Sequence, residues 1–250
     1  MKVSIITVCY NSSSTIKETI DSVNSQSYKN IEHIFIDGIS IDNTIELIKA
    51  NSKIKYNLIS EKDNGIYDAM NKGIKIANGE IIFILNSDDI LFSNNTIKSV
   101  VNFFKLNNVD MIYGHIYLSD LTNIRSYVRN WKVTKFLPGS FTKGWHPAHP
   151  GFVVKKHIYL KHGLFKLDLP VAADFELMLR FFEKKGCSSK LYDNYISVMR
   201  MGGDSTNIRG IIKGNRDIKK AFNINNIRLP TNYFFKRYYN KFLQKFDVKK

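Results

Sequence analysis

The sequence predicts an α/β domain, a mostly parallel sheet flanked by helices, on three observations. Short apolar runs rich in β-branched residues alternate with segments of helical periodicity through the first 114 residues. The connections between them are short, as in chains of strand–helix–strand units. Polar and acidic residues gather just after the strands, at the edge where open α/β sheets hold their ligands.

Val3–Cys9 is a continuous apolar run and reads as a strand buried on both faces. Thr15 to Glu18 has capping-box spacing, and Ile16, Ile20 and Val23 give the next helix its buried stripe, ending near Gln26. Residues 31–36 read as the second strand, 42–50 as a helix capped by Asp42 or Asn43, and 56–60 as the third strand. A helix over 66–77, with Gly79 just past its end, leads to a short apolar strand at 81–85. A helix over 95–106 and a strand at 110–114 follow. Beyond these the pattern loosens, with strands expected at 124–129, 151–154 and 196–201 and a helix over 174–185 closing at Gly186. From 207 two basic helical stretches are split near Leu229-Pro230. The expected organisation is a domain over 1–206, in halves 1–115 and 116–206, with a basic helical extension over 207–250.

The 250 residues, 44% of them apolar, suffice for one full domain with an appendage. No apolar run approaches the roughly 20 residues that span a bilayer. The apolar start runs into Asn11 and three serines with no small-residue cleavage site, so no signal peptide is expected. Cys9 and Cys187 make no disulfide framework, which points to a cytoplasmic protein. The net charge is +15, and twelve Lys and Arg against two Asp in residues 205–250 account for +10 of it. The body is therefore only mildly basic.

The strand-end loops carry the chemistry. They contain Tyr10-Asn11 after the first strand, Asp37-Gly38 after the second, 61–65 after the third and Asn86-Ser87-Asp88-Asp89 after the fourth. A dinucleotide fold needs Gly-x-Gly-x-x-Gly after the first strand, where this chain has Cys9-Tyr10-Asn11 and serines; no Walker A sequence occurs either. Adjacent carboxylates at a strand end offer hard oxygen ligands for Mg²⁺ or Mn²⁺ beside substrate phosphates. Asp88 or Asp89 can equally begin a turn or cap a helix.

Four stretches in order, VSIITVCYN at 3–11, DGISIDNT at 37–44, SEKDNGIYDAMNKG at 60–73 and LNSDD at 85–89, resemble the family-two bacterial glycosyltransferases of the GT-A fold. Tyr113-Gly114, His149, Ala173-Asp174 and Gly202-Gly203-Asp204-Ser205 extend the resemblance to about 206. It implies an inverting transfer of a sugar from a nucleotide-sugar donor, a UDP-sugar, to a hydroxyl of a saccharide acceptor, commonly lipid-linked, in surface polysaccharide or lipopolysaccharide synthesis. Thr7, Val8 and Tyr10 would then surround the base and ribose, with Asp37 hydrogen-bonding the base. Asp63, Gly65, Asn71 and Lys72 form a second donor-side motif, and Lys72 is also readable as an exposed helix lysine. The family's Asp-x-Asp is Asn86-Ser87-Asp88 here, which makes Asp88 the primary metal ligand, Asp89 a supporting one, and Mn²⁺ or Mg²⁺ the cofactor. Asp174 matches the family's base, although on its own it reads as a helix N-cap; Glu176 is the fallback. His149 falls on the acceptor side, and Trp145 stacks on a sugar or anchors its loop. Arg200 and 202–205 would close over the diphosphate.

In the extension, Phe235, Tyr238, Tyr239, Phe242 and Phe246 recur on one helical face, with Arg237, Lys241 and Lys245 on the other. Either the aromatic face docks on the domain, or residues 229–250 lie on an anionic membrane surface at the inner face of the membrane. Nucleic-acid binding is not expected, since no nucleic-acid motif accompanies the charge. Two rivals stand beside the transferase. A nucleotidyltransferase of similar fold lacks its Gly-rich basic loop here, and a catalytically impaired relative acting as a scaffold draws on Asn86 alone.

Overall fold

The computed structural model describes residues 1–202 and 208–243. One nine-stranded sheet runs β3-β2-β1-β4-β8-β6-β9-β5, with β7 off β6. Its parallel half comprises β1 (Val3–Cys9), β2 (Ile31–Asp37), β3 (Tyr56–Ser60) and β4 (Ile81–Ile84). Every residue of β1 and β2 is buried, as a strand covered on both faces must be. β1 pairs with β2 from Val3↔Ile31 to Cys9↔Asp37 and with β4 on its other edge, so the strand order reverses at β1. A reversal of this kind opens a crevice at the carboxyl ends of the strands.

Helices α1 (Ile16–Asn24), α2 (Thr44–Asn51), α3 (Ile66–Ile76) and α4 (Thr96–Asn107) connect these strands and lead into the second half. The capping box at α1 does not form. Thr15 makes no side-chain cap, and the Glu18 carboxylate turns instead to Arg200.

The second half is mixed: β8 (Phe152–Lys155) lies antiparallel to β4 and β6, and β9 runs parallel to β6. β6 (Met111–Ser119) and β9 (Ser189–Arg200) are longer than their apolar cores predict, because their pairing continues from Met111↔Ser189 to Ser119↔Arg200. The strand expected at 124–129 is β7 (Tyr127–Trp131), an edge strand on β6, and β5 (Ile90–Leu91) pairs with β9. After α5 (Lys156–His162), the helix expected over 174–185 is α6 (Ala173–Leu179) followed by a wider, π-type turn over Arg180–Lys184.

The extension folds as α7 (Ile208–Ile224) and α8 (Tyr233–Leu243). It is no loose appendage: Ile218, Ala221, Phe222 and Tyr233 belong to the same core as Ile6, Met70, Tyr113 and Phe175. Among the described residues no helix is long and apolar enough to cross a membrane.

Candidate active site

The loops after β1, β2 and β3 converge on Gly38. A Cβ added there would lie 2.8 Å from Asp63 Oδ2 and 3.5 Å from Tyr10 Cδ2, so a larger residue would push the Asp63 carboxylate aside. Asn11 accepts a hydrogen bond from the Ile41 amide at 2.9 Å and donates its own amide to Ser40 Oγ at 2.8 Å. Both Asn11 and Ile39 hold positive φ, 49° and 64°, which for a β-branched residue is strained.

Tyr10 alone of the first-strand trio is exposed. Thr7 is fully buried and shares a 2.9 Å hydrogen bond with His33 Nε2; Val8 is in the core. Burial pushes the His33 imidazole down to about 3, so it is neutral. Asp37 is also turned inward, contrary to the expectation that it faces the base. Its carboxylate accepts from the Ser40 amide at 3.0 Å, the Ser40 hydroxyl and Ser60 Oγ at 2.6 Å, lacing β2 to β3 and their loop. Burial, then the charge of Asp37, pushes the neighbouring Cys9 thiol up.

Asp63 Oδ1 accepts the Gly65 amide at 2.8 Å, and Gly65 adopts φ 107° at the entry to α3. Lys72 pairs with Glu61 at 2.9 Å and donates to the Lys62 carbonyl at 2.7 Å, fastening this loop to its helix. Asn71 does not belong to the donor side. Its buried amide donates to the Phe165 carbonyl at 3.0 Å and accepts the Phe165 amide at 2.9 Å, clamping the loop after α5.

The loop after β4 meets the loop after β1 at the sheet reversal, where Ser12 Oγ and Ser87 Oγ lie 2.9 Å apart. Asp89 is buried, and both its oxygens are occupied. Oδ1 accepts the Arg200 amide at 3.0 Å and Oδ2 accepts Asn86 Nδ2 at 3.1 Å, so Asp89 builds the loop rather than supporting a metal. Burial, reinforced by Asp88, holds its carboxyl well above the usual range. Among the described residues the Asp88 carboxylate takes a hydrogen bond only from its own backbone; burial raises it, against that bond and then the charge of Arg200.

Among the described residues Asn86 Oδ1 is buried without a partner. One carboxylate and one orphaned amide oxygen on the same loop are hard donors, and a divalent cation would reverse the upward shift at Asp88. Among the described residues no cluster of three or more His, Cys, Asp or Glu could hold a metal. Asn86 Oδ1 and Asp88 alone would fill only part of the shell of Mg²⁺ or Mn²⁺, which keeps most of its oxygens from water or ligand.

Arg200 is not free to close over that diphosphate. Its guanidinium pairs with Glu18 and donates to the carbonyls of Leu121 at 2.7 Å and Asp88 at 3.4 Å. It fastens the loop after β4 to α1, while 203–205 lie outside the described residues.

Asp174 sits in the first turn of α6 behind Ala172, which is the N-cap. Its Oδ1 accepts the Tyr67 hydroxyl at 3.1 Å and the Phe175 amide at 2.8 Å, leaving Oδ2 without a hydrogen-bond partner among the described residues. The Val171 carbonyl, 3.2 Å from the Tyr67 hydroxyl, shares its single hydrogen; the phenol is pushed up, chiefly by burial and then by the Asp174 charge. His149 is buried, its imidazole lowered by that burial and partly restored by the charge of Asp174. Asp217 of α7 accepts the Val171 and Ala172 amides at 2.8 and 3.2 Å, holding the approach to Asp174 from behind.

Glu176 faces away from this pocket. Fully buried, it binds Arg180 at 2.9 Å and Asn225 at 3.0 Å, and the same guanidinium donates to the carbonyls of His162, Gly163 and Leu164. Trp145 anchors its loop: Nε1 donates to the Thr134 carbonyl at 3.1 Å, and the ring packs edge-on against Tyr113, Phe141 and Phe182. Tyr67 was the residue that sequence reasoning passed over, although it lies inside the 60–73 motif.

A sheet reversing at β1, crowned by these loops, is the architecture of the GT-A glycosyltransferases. Residues 4–158 match the sequence model of Glycosyl transferase family 2, and the chain belongs to that family. The match stops before Asp174. An uncharacterized glycosyltransferase of Mycobacterium tuberculosis is 31% identical over 71% of this chain and 68% of its own. A PGL/p-HBAD biosynthesis glycosyltransferase of Mycobacterium bovis is 26% identical over 72% and 69%. In fold, S. aureus TarS 1-349 in complex with UDP-GlcNAc superposes with TM-score 0.69 at 16% identity, over 94% of this chain and 69% of that one. The mannosyltransferase PcManGT from Pyrobaculum calidifontis, in complex with GDP-Man and Mn²⁺, gives 0.65 at 19%, over 97% and 69%. The chain spans 39% of the longer S. aureus TarS structure.

Proposed function

We propose that this glycosyltransferase moves a sugar from a UDP-sugar to a hydroxyl of a saccharide acceptor, lipid-linked, with inversion at the anomeric carbon, in surface polysaccharide or lipopolysaccharide synthesis. The observation that carries the reading is Asp174, one oxygen held by Tyr67 and the Phe175 amide, the other open. That open Oδ2 takes the proton of the acceptor hydroxyl as its oxygen attacks the anomeric carbon and the bond to the diphosphate breaks. Buried His149, neutral beside Asp174, lines the acceptor side.

Tyr10, Gly38 and Asp63 form the wall for the base and ribose. Asn86 Oδ1 and Asp88 would hold a divalent cation, which when bound neutralises charge on the leaving diphosphate. TarS in complex with UDP-GlcNAc supports the UDP reading, and the GDP-Man complex of PcManGT marks the alternative base.

A screen of nucleotide sugars for Mn²⁺-dependent donor hydrolysis tests this, with a UDP-sugar expected to turn over fastest. Preference for a GDP-sugar overturns the donor assignment. Asn86, in place of a carboxylate, favours a second reading as a binding subunit. UDP binding by calorimetry with no turnover of any donor would establish that one instead.

A further inference from the structure

We propose that the outward face of α7 and α8 rests on the anionic surface of a lipid bilayer. The two helices dock on the domain by the side opposite to the aromatic stripe. Tyr233 is fully buried against Phe222, and the Arg237 guanidinium lies 5.5 Å from the centre of the Phe175 ring. Phe235, Tyr238 and Tyr239 point away and are 75%, 41% and 53% exposed, with the rings of Phe235 and Tyr239 stacked at 6.4 Å. Among the described residues, then, nothing covers these three rings. In sequence the stripe continues to Phe242 and Phe246, whose side chains lie outside those described.

Tyr238 is tied to Asn215 by hydrogen bonds of 2.8 and 3.1 Å, which joins α8 to α7. Along α7, Arg209, Ile212, Arg216 and Lys219 follow one another on the exposed side at helical spacing. Between residues 208 and 243 the sequence holds a single carboxylate, Asp217, and it is buried behind Val171 and Ala172. The described outward surface thus combines exposed rings and cations with no negative charge of its own.

This combination selects the occupant. A nucleic-acid duplex would use the cations and leave Phe235 in water. A second copy would set like charge against like. A bilayer satisfies both: aromatic side chains settle at headgroup depth, and Lys and Arg are drawn to anionic lipid. The surface lies behind the helix that bears Asp174, through the contacts of Phe222 and Arg237 with Phe175. The proposal does not depend on the identity of the donor, and its test needs no catalysis.

The test is flotation of the full chain with phosphatidylcholine vesicles, with and without phosphatidylglycerol. Binding to the anionic vesicles is expected to be at least about tenfold stronger and to weaken with salt. Two double variants, Phe235→Ser with Tyr239→Ser and Arg209→Glu with Arg216→Glu, each lose that binding while keeping the wild-type melting temperature and donor hydrolysis. Equal binding to both vesicles, no flotation, or flotation that survives both doubles overturns the proposal. So does light scattering that shows the doubles dissolving a wild-type dimer, or tighter binding to duplex DNA than to the vesicles.

Discussion

The Tyr67 hydroxyl donates to Asp174 Oδ1 at 3.1 Å across 107 positions of sequence, coupling the helix of the donor-side motif to the helix that bears the proposed base. Tyr67→Phe removes this bond and leaves the ring stacked on Phe165. A hydrogen bond to a charged group is worth about 1.5–3 kcal/mol, so kcat is expected to fall roughly tenfold or more with donor KM little changed. Asp174→Asn removes the proton acceptor, is expected to lower kcat by about 10²-fold or more, and keeps UDP binding. Steady-state kinetics with calorimetry decides; unaltered kcat in Asp174→Asn would move the base elsewhere.

Asp88 and Asp89 are adjacent yet are expected to fail in different ways. Asp88→Ala removes the open carboxylate and abolishes the response of donor hydrolysis to Mn²⁺ titration, at little cost in melting temperature. Asp89→Ala strips partners from the Arg200 amide and Asn86 Nδ2, and lowers stability by about 2 kcal/mol or more. Thermal melts run beside Mn²⁺ titrations separate the two; equal melting losses would refute the division.

Glu176→Ala leaves Arg180 buried without its carboxylate and Asn225 with the Ala221 carbonyl but not Glu176. Breaking a buried pair costs about 3–5 kcal/mol, or a fall of roughly 6–20 °C in a domain of this size. Wild-type melting combined with lost transfer would return Glu176 to the role of base.

The neutral, buried His33 makes stability depend on pH. Its folded pKa, about 3, lies below the ordinary imidazole value of 6.5, so the unfolded chain binds the extra proton first. Its contribution is complete above about pH 6.5 and declines as pH falls toward 3, at up to about 1.4 kcal/mol per unit. His33→Gln is expected to flatten that decline between pH 6.5 and 4.5, measured by urea unfolding at each pH. A parallel loss in both proteins would clear His33.

The strands and their loops were legible because each is a local signal: an apolar run, then a break of Asn, Ser, Asp or Gly. Which carboxylates are tied up by neighbours and which are left open was not. Asp37, Asp89 and Glu176 look like Asp88 and Asp174 in sequence, and their orientation is settled by Ser40 and Ser60, by Arg200, and by Arg180 with Asn225. Glu18 reads as a capping residue until β9 delivers Arg200, 182 positions later. The aromatic stripe of α8 was visible, but which side would dock was set by Phe175 and Phe222, in helices that periodicity cannot place.

Asp217 has a consequence for how such an enzyme changes. Its carboxylate holds the two amides just before the helix of Asp174, and Asn225, just past the end of α7, reaches Glu176 inside that helix. Residues 171–176 and α7 therefore form one mechanical unit, and the match to the family ends before either. Exchanging the terminal helices with those of a relative would therefore also disturb the support of residues 171–176, Asp174 among them.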